Sequence, residues 1–265
     1  MTFLDVGQGD CAFIRTPSGR TMLVDGGGTA QADDDDESTG MKLVEPFLRR
    51  RIVNKIDVLV LTHPHDDHLR GLIPVVRDFR VGTVLDPGIP HGSEAYKRFL
   101  SVVEARRIPY RRAVRGQVID CGDGVRATVL HPPNPLLATD DENDNSVVLR
   151  ITYGSEALLL TGDAGADAES EIISSGATLT SSVLKVAHHG SSYSTSDRWL
   201  DAVRPEIAVI SVGRSNSFGH PSHETLDRLT SRGIRVFRTD QSGAVTVTLR
   251  PRSHSVETCL PVRSD

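Results

Sequence analysis

Apolar and polar positions alternate in short runs at the start of the chain. Thr2–Val6, Cys11–Thr16 and Thr21–Val24 are β-type runs separated by Gly/Ser/Pro turn signals, and they predict a meander of strands. Ile56–Leu61 is continuously apolar and ends at Thr62-His63-Pro64, which predicts a buried strand.

Helical and strand patterns alternate in the remainder of the chain. Val147–Tyr153 and Glu156–Thr161 flank Gly154-Ser155 and predict a β-hairpin. Helices are predicted over Met41–Val53, Leu69–Phe79, Ser93–Arg107, Asp167–Ser174, Ser196–Val203 and Ser222–Ser231. Further strands are predicted over Gly82–Leu85, Val125–Leu130, Val183–Val186, Ile207–Ser211, Val236–Arg238 and Ala244–Leu249. Hairpins combined with strand–helix alternation predict an α/β fold, an αββα sandwich of two mixed sheets with helices on the outer faces.

Length and composition are those of one globular domain. The 265 residues are 38% hydrophobic and 25% charged, which excludes a disordered polyampholyte and a fibrous repeat. Residues 1–265 are expected to form a single domain. Two parts are expected to be loose: an acidic loop over 29–40, which contains Asp33–Glu37, and a C-terminal tail over 251–265.

Membrane insertion and general DNA coating are both disfavoured by the sequence. No apolar run approaches the roughly 20 residues that cross a bilayer, and no basic-then-apolar leader precedes Phe3. The 35 acidic residues outnumber the 30 Lys and Arg residues, which argues against a surface that binds DNA by counterion release. Any nucleic-acid contact is therefore expected to be local or to be supplied by a partner.

The strongest chemical signal follows the predicted strand Ile56–Leu61. Thr62-His63-Pro64-His65-Asp66-Asp67-His68 places four potential ligands within six residues, namely His63, His65, Asp67 and His68. Imidazole nitrogens and carboxylate oxygens suit hard and borderline divalent cations. Burying these groups without partners would cost several kcal/mol. The segment therefore predicts a metal site at the end of a rigid strand.

His63-x-His65-x-Asp67-His68 resembles the signature of the metallo-β-lactamase fold superfamily. Three further segments of that superfamily have counterparts in the same order: Leu23–Gly27, Thr161-Gly162-Asp163 and Ala187–Ser191. A narrower resemblance, to the hydrolase domain of the ComEC family of DNA-uptake (competence) proteins, covers nearly the whole chain. It rests on Phe3–Asp10, Asn143-Asp144-Asn145-Ser146, Leu184–Ser191 and Ser211–Pro221.

The resemblance implies a centre for two divalent metal ions, zinc or manganese. Asp163 would bridge them, and Asp25 would support the metal loop without ligating. His131, at the end of a predicted strand, is the candidate third ligand on the first ion, with an ordinary strand-end histidine as the alternative. The implied ligands are His63, His65 and His131 for one ion, Asp67, His68 and His189 for the other, and Asp163 for both.

Two such ions would lower the pKa of a shared water to near 7, so that a bridging hydroxide is the nucleophile. Asp67 and Asp163 are expected to orient it, and His188 to stabilise the oxyanion or protonate the leaving group, unless His188 is a packing residue. Asp10 is expected to be structural, bonding backbone amides in the Gly7–Gly9 turn. The candidate substrate-binding residues are Ser191, Asn216 and His220.

These features favour a phosphodiesterase or nuclease that acts on DNA. One alternative is a hydrolase of small phosphoesters, lactams or thioesters, and another is a non-catalytic, metal-stabilised module of a larger assembly. A purely structural site would close its coordination sphere, which weighs against the last. His188–Ser191 and Gly219-His220-Pro221 resemble the DNA-uptake branch. That resemblance implies a membrane-channel partner and membrane association, whereas a solitary enzyme would be cytoplasmic.

Overall fold

The computed structural model describes residues 1–29 and 37–261. The strands are β1 (Thr2–Phe3), β2 (Ala12–Arg15), β3 (Thr21–Val24), β4 (Lys55–Ile56), β5 (Val58–Val60), β6 (Arg80–Val81), β7 (Val84–Asp86), β8 (Tyr110–Arg112), β9 (Val118–Asp120), β10 (Val125–His131), β11 (Val148–Tyr153), β12 (Glu156–Leu160), β13 (Val183–Lys185), β14 (Ile207–Ile210), β15 (Arg235–Arg238), β16 (Val245–Arg250) and β17 (Ser253–Thr258). The helices are α1 (Glu45–Arg50), α2 (Asp66–Leu69), α3 (Leu72–Asp78), α4 (Glu94–Ala105), α5 (Ala166–Ser174), α6 (Asp197–Val203), α7 (His223–Thr230) and α8 (Thr239–Ser242). A π-helix spans Gly40–Val44, and 3-10 turns span Glu142–Asn145 and Ala187–Gly190.

Most of the strands belong to two mixed sheets. One has the strand order β17-β16-β1-β2-β3-β5-β7-β8, and the other has the order β15-β14-β13-β12-β11-β10-β9. In the first sheet β3, β5 and β7 are parallel, and in the second β12 to β15 are parallel. The remaining strands β4 and β6 form a separate parallel pair.

Apolar side chains fill three layers. Phe3 and Val60 from the first sheet pack with Leu149 and Val183 from the second in the layer between the sheets. Helices α1, α3 and α4 cover the outer face of the first sheet, and α5, α6 and α7 cover that of the second. Each helix buries one apolar face because only that face meets a sheet. The predicted αββα architecture is confirmed.

The predicted helix over Leu69–Phe79 is divided in the structure. It begins earlier, as α2, and resumes as α3 after a break at Gly71. The backbone at Gly71 lies directly against Gly26, and a Cβ at position 71 would overlap the Gly26 carbonyl oxygen. This close approach requires glycine and determines where the helix breaks.

The prediction of two loose regions, over 29–40 and 251–265, is partly wrong. Ser253–Thr258 forms β17, which pairs antiparallel with β16 at the edge of the first sheet. The polar composition of this segment gave no strand signal in the sequence. Hydrogen bonds to β16 stabilise the strand. Glu37, in the predicted acidic loop, is buried, and its Oε2 accepts from Arg77 Nη1 at 2.7 Å. Residues 30–36 of that loop and 262–265 of the tail lie outside the described residues.

None of the helices in the described ranges has the length and apolarity that a membrane span needs. The longest of them, α4, has 12 residues and begins at the predicted N-cap, where Ser93 Oγ accepts from Tyr96 N at 3.2 Å. Its buried side chains lie on one face and pack toward the first sheet. The helix is therefore an amphipathic outer layer of the domain.

Candidate metal centre

Four loops converge at the carboxyl ends of parallel strands. A hydrogen bond from His188 N to Gly162 O, at 3.2 Å, joins the loop after β13 to the loop after β12. Strand ends are rigid, so the side chains that follow them are placed precisely. The four loops carry Asp25 after β3, residues 62–68 after β5, Asp163 after β12, and His188 and His189 after β13.

The centre of the site is formed by Asp67, His68, Asp163 and His189. One ligand atom from each lies within 4.8 Å of all the others. Asp163 Oδ2 is 3.4 Å from His68 Nε2 and 3.5 Å from His189 Nε2. Asp163 Oδ1 and His68 Nε2 are buried and accept or donate no hydrogen bond within the described part of the chain. Converging, unpartnered nitrogen and oxygen atoms fit a divalent cation such as zinc or manganese.

His63 and His65 adjoin this cluster, and His65 lies on its solvent side. His63 is fully buried, and its Nε2 lies 3.1 Å from His65 Nδ1. The His63 ring centroid is 4.1 Å from that of His68, so the two histidines adjoin the central cluster. All four side chains that the sequence segment predicted are thus brought together.

Burial and close charges oppose each other at this site. Burial favours neutral histidine, but the carboxylates of Asp163 and Asp25 outweigh it and hold the pKa of His68 well above its usual range. In the same way Asp163 raises the pKa of His189 against the effect of burial. Burial and the neighbouring His68 hold the pKa of His63 well below its usual range. A metal ion must therefore displace protons from His68 and His189 but not from His63.

Metal affinity is expected to rise with pH above 6.5. In the metal-free fold the pKa values of His68 and His189 are raised. Both side chains therefore stay protonated from pH 6.5, the usual histidine pKa, up to their own raised pKa values. Below the folded pKa, each displaced proton weakens binding about tenfold per pH unit of acidification. Calorimetric titration with Mn²⁺ between pH 6.5 and 8.0 should show this slope and proton release that depends on the buffer. A pH-independent affinity would contradict the assignment of His68 and His189 as ligands.

Asp25 supports the metal loop from behind. Its Oδ1 accepts from Thr62 N at 2.8 Å, and its Oδ2 accepts from Thr62 Oγ1 at 2.8 Å. Asp25 Oδ2 also lies 2.9 Å from His68 Nδ1. A carboxylate at Nδ1 fixes the ring so that Nε2 faces the metal cluster, an arrangement typical of metal-binding histidines. The supporting role predicted for Asp25 agrees with this geometry.

Asp25→Asn is expected to weaken Mn²⁺ binding about 10- to 100-fold, because the amide cannot hold the His68 ring as the carboxylate does. The matched control is Asp5→Asn, since Asp5 is exposed and its carboxylate accepts only a weak bond from Gly7 N at 3.4 Å. Equilibrium metal titration, with circular dichroism as a check on folding, measures both. Equal affinities for the two variants would exclude the supporting role.

Asp10 lies beneath the site and differs from the prediction. Its Oδ2 forms an ion pair with the buried Lys185 Nζ, and its Oδ1 is 3.7 Å from His189 Nδ1. Asp10 Oδ1 has no hydrogen-bond partner among the residues described. The predicted bonding of Asp10 to turn amides is therefore wrong, because its carboxylate faces the interior, where it balances the Lys185 charge.

His131 is not a metal ligand in this structure. It is fully buried, its Nε2 lies 2.8 Å from Asp144 O, and its Nδ1 lies 3.3 Å from Glu171 Oε2. Both ring nitrogens therefore lie near protein oxygens, and His131 does not belong to the converging groups of ligand atoms found among the described residues. The prediction of His131 as third ligand is wrong because a buried strand-end histidine found structural partners instead.

A cleft of about 390 Å³ opens above the cluster, and His188 and His220 line it. His188 is in the left-handed backbone region, with φ 50°, and its Nε2 lies 3.9 Å from Asp163 Oδ2. Burial, with His189 and His188 close by, lowers the pKa of His220 to about 4. At neutral pH His220 is therefore an uncharged hydrogen-bonding group on the cleft wall.

Two predicted substrate-binding residues have structural roles instead. Asn216 Nδ2 donates to Gly213 O at 2.9 Å and to His220 O at 2.8 Å, while its Oδ1 accepts from His220 N at 3.0 Å. Asn216 thus shapes the loop that presents His220. Ser191 is buried, and its Oγ accepts from Tyr193 N at 3.3 Å. In this structure both side chains satisfy nearby backbone groups, and neither lines the cleft.

Sequence reasoning assigned no role to three further residues of the cleft. His91 and Asn143 line it beside His65, and Phe218 lies at its rim, 56% exposed and stacked on His220 with ring centroids 5.8 Å apart. Asn143 belongs to a segment that carried the family resemblance, which was a usable signal. Phe218 also lies in such a segment, Ser211–Pro221, whereas His91 is isolated in a loop without a signal.

The chain is similar to two curated proteins over most of its length. The chain is 32% identical over 253 residues to ComE operon protein 3 of Bacillus subtilis (strain 168), covering 91% of this chain and 32% of that protein. It is 34% identical over 246 residues to Competence protein ComA of Neisseria gonorrhoeae, covering 92% and 31%. The chain thus spans about a third of the length of these curated relatives.

Solved structures share the fold at low sequence identity. The metallo-β-lactamase fold protein YhfI from Bacillus subtilis superposes with a TM-score of 0.57 at 13% identity, covering 92% of this chain and 98% of that one. CmlA, a diiron β-hydroxylase from Streptomyces venezuelae, gives a TM-score of 0.56 at 16% identity, covering 89% and 52%. Residues 4–214 match the metallo-beta-lactamase superfamily. With this match and the geometry above, the chain belongs to the metallo-beta-lactamase superfamily.

Proposed function

We propose that this chain is a binuclear, metal-dependent phosphodiesterase that cleaves DNA. The observation that carries the proposal is the convergence of Asp67, His68, Asp163 and His189 at the base of an open cleft. A structural metal site is closed by protein ligands, whereas this cluster faces a space that a substrate can enter. The open cleft therefore favours an enzyme over a metal-stabilised module.

Divalent ions held by these residues would supply Lewis-acid activation of water and of the phosphoryl group. Side chains of this chain supply the negative charge and the proton transfer. The pKa of Asp163 stays well below its usual range, because His68 and His189 outweigh burial, so its carboxylate remains charged at neutral pH. His188 is partly exposed on the cleft wall, and in this proposal it donates a proton to the departing oxygen.

A DNA strand is favoured over a lactam or a thioester by the rim of the cleft. Phe218 presents an exposed aromatic face that is already stacked on His220, and such faces hold nucleobases in single strands. The acidic chain lacks the general positive charge of a duplex-coating protein, so a single strand held locally fits better. The name of the relative Competence protein ComA supports natural competence as the setting. The resemblance to DNA-uptake proteins adds a membrane-channel component as the proposed partner.

The direct test is to incubate Mn²⁺-loaded protein separately with single-stranded DNA, bis(4-nitrophenyl) phosphate and nitrocefin. Cleavage of DNA and of the diester, lost in Asp67→Ala, is expected. Turnover of the small diester without DNA cleavage would identify a small-phosphoester hydrolase. Turnover of nitrocefin alone would overturn the phosphodiesterase proposal.

His188→Ala is expected to reduce DNA cleavage about 100-fold, because an alkoxide leaving group needs a proton from a general acid. Cleavage of bis(4-nitrophenyl) phosphate should fall much less, since 4-nitrophenolate leaves without protonation. His223→Ala is the matched control, as His223 is exposed in the first turn of α7. Equal losses on both substrates would argue for a positioning role of His188 and against proton donation.

A further inference from the structure

The His63–His65 side of the centre lacks a third protein ligand once His131 is excluded. His63 Nε2 and His65 Nδ1 are 3.1 Å apart and face each other. Open metal sites in proteins commonly have three protein ligands. Asp163 is expected to serve both ions, so one more unshared donor is needed near this pair.

The 3-10 turn Glu142–Asn145 carries a side chain that matches this need. Asn143 is 7% exposed and lines the same cleft as His65 and Asp163. Its Oδ1 is buried and has no hydrogen-bond donor in the residues that the structure describes. An unpartnered amide oxygen costs free energy unless a donor or a cation meets it. Asn145, by contrast, is satisfied, since its Oδ1 accepts from Leu137 N at 2.9 Å.

Glu142 precedes Asn143 in the turn, and its carboxylate lies on the Nε2 side of the His65 ring. Its Oε2 is 3.6 Å from His65 Nε2 and 2.8 Å from His91 Nδ1. A carboxylate at Nε2 leaves Nδ1 as the ligand atom, and Nδ1 is the nitrogen that faces His63. His91 holds Glu142 from the other side and so fixes the ring orientation of His65.

His131 belongs to the same arrangement in a different role. Its contact with Asp144 O, at 2.8 Å, secures the backbone of the turn one residue after Asn143. Glu171, whose Oε2 lies 3.3 Å from His131 Nδ1, in turn fixes the His131 ring. The buried histidine thus holds the turn that presents Asn143.

We propose that Asn143 Oδ1 is the third protein ligand of a divalent cation on His63 and His65, and that Glu142 is a positioning residue for His65. The proposal rests on the metal centre of the proposed function but not on the identity of its substrate. It names an oxygen donor where the sequence resemblance implied a histidine.

The test counts metal ions on the full chain with Mn²⁺ alone, by elemental analysis after desalting and by calorimetric titration. Wild-type protein should bind two ions. Asn143→Ala and the nearly isosteric Asn143→Leu should each bind one tightly, whereas Asn143→Asp should restore two, because a carboxylate oxygen replaces the amide oxygen. Glu142→Gln should retain both sites, with one of them about 10- to 100-fold weaker.

His131→Gln keeps a donor for Asp144 O but removes the imidazole, and so tests the rival ligand. The matched control is Asn54→Ala, because Asn54 is exposed and does not line the cleft. Both variants should bind two ions. Two tight ions in both Asn143→Ala and Asn143→Leu would overturn the proposal, as would loss of one ion in His131→Gln alone. Thermal unfolding of the metal-free variants separates ligand loss from misfolding. A protein that binds two ions in this pattern but cleaves no DNA would refute only the proposed function.

Discussion

Asp163→Asn is expected to lower the rate of phosphodiester cleavage at least about 1,000-fold, the largest loss of any single substitution considered. Asp163 Oδ2 lies within 3.5 Å of both His68 Nε2 and His189 Nε2, and the family resemblance implies that it bridges the two ions. The amide has nearly the same shape but no negative charge. It therefore removes the charge that balances the cations and leaves the packing unchanged.

Kinetics and metal content must be measured together on this variant. We expect Asp163→Asn to retain at most one ion and to fold normally, since Asp163 makes no ladder or cap contact. Asp167→Asn is the matched control, because Asp167 is exposed in the first turn of α5. If Asp163→Asn kept two ions and near wild-type turnover, Asp163 could not be the shared ligand.

The ligand segment after β5 was predictable because its residues are adjacent in the chain. A strand end fixes the backbone, so His63, His65, Asp67 and His68 could hardly lie far apart. Asp163 and His189 came from the family resemblance, and the structure brings both to within 3.5 Å of each other. The layer architecture followed from periodicity alone, since burial imposes the period of each element.

The site predictions that the structure does not support share one physical cause. His131, Ser191 and Asn216 are polar groups in turns or at strand ends, where a buried backbone or side-chain partner competes with any ligand. Sequence gives the residue type but not the direction in which the side chain points. In the structure, each of these three side chains has a hydrogen-bonding partner within the protein.

The residues that sequence reasoning missed depend on contacts between distant segments. Glu142 and His91 are 51 positions apart, and Lys185 reaches Asp10 across 175 positions. Lys185 could be recognised only as an anomaly, a charge within the apolar strand β13. Its buried partner below the metal loop becomes evident only once the two sheets are stacked.

Gly71→Ala is expected to destabilise the fold by about 3 kcal/mol and to weaken metal binding more than 100-fold. An added Cβ would overlap the Gly26 carbonyl oxygen, and neither backbone can yield without moving its loop. Gly26 N donates to His68 O at 2.7 Å, so the contact joins the loop of Asp25 to the helix of His68. Separating them would remove Asp25 from behind the His68 ring.

Urea unfolding of the metal-free protein and Mn²⁺ titration measure the two effects separately. Gly92→Ala is the matched control, because a Cβ at Gly92 meets no atom within 4 Å, and its stability should change by less than about 0.5 kcal/mol. Saturating Mn²⁺ should recover part of the Gly71→Ala stability, since binding favours the native spacing of the loops. Wild-type stability in Gly71→Ala would mean that the loops separate without cost. The glycine contact would then not be what holds Asp25 against His68.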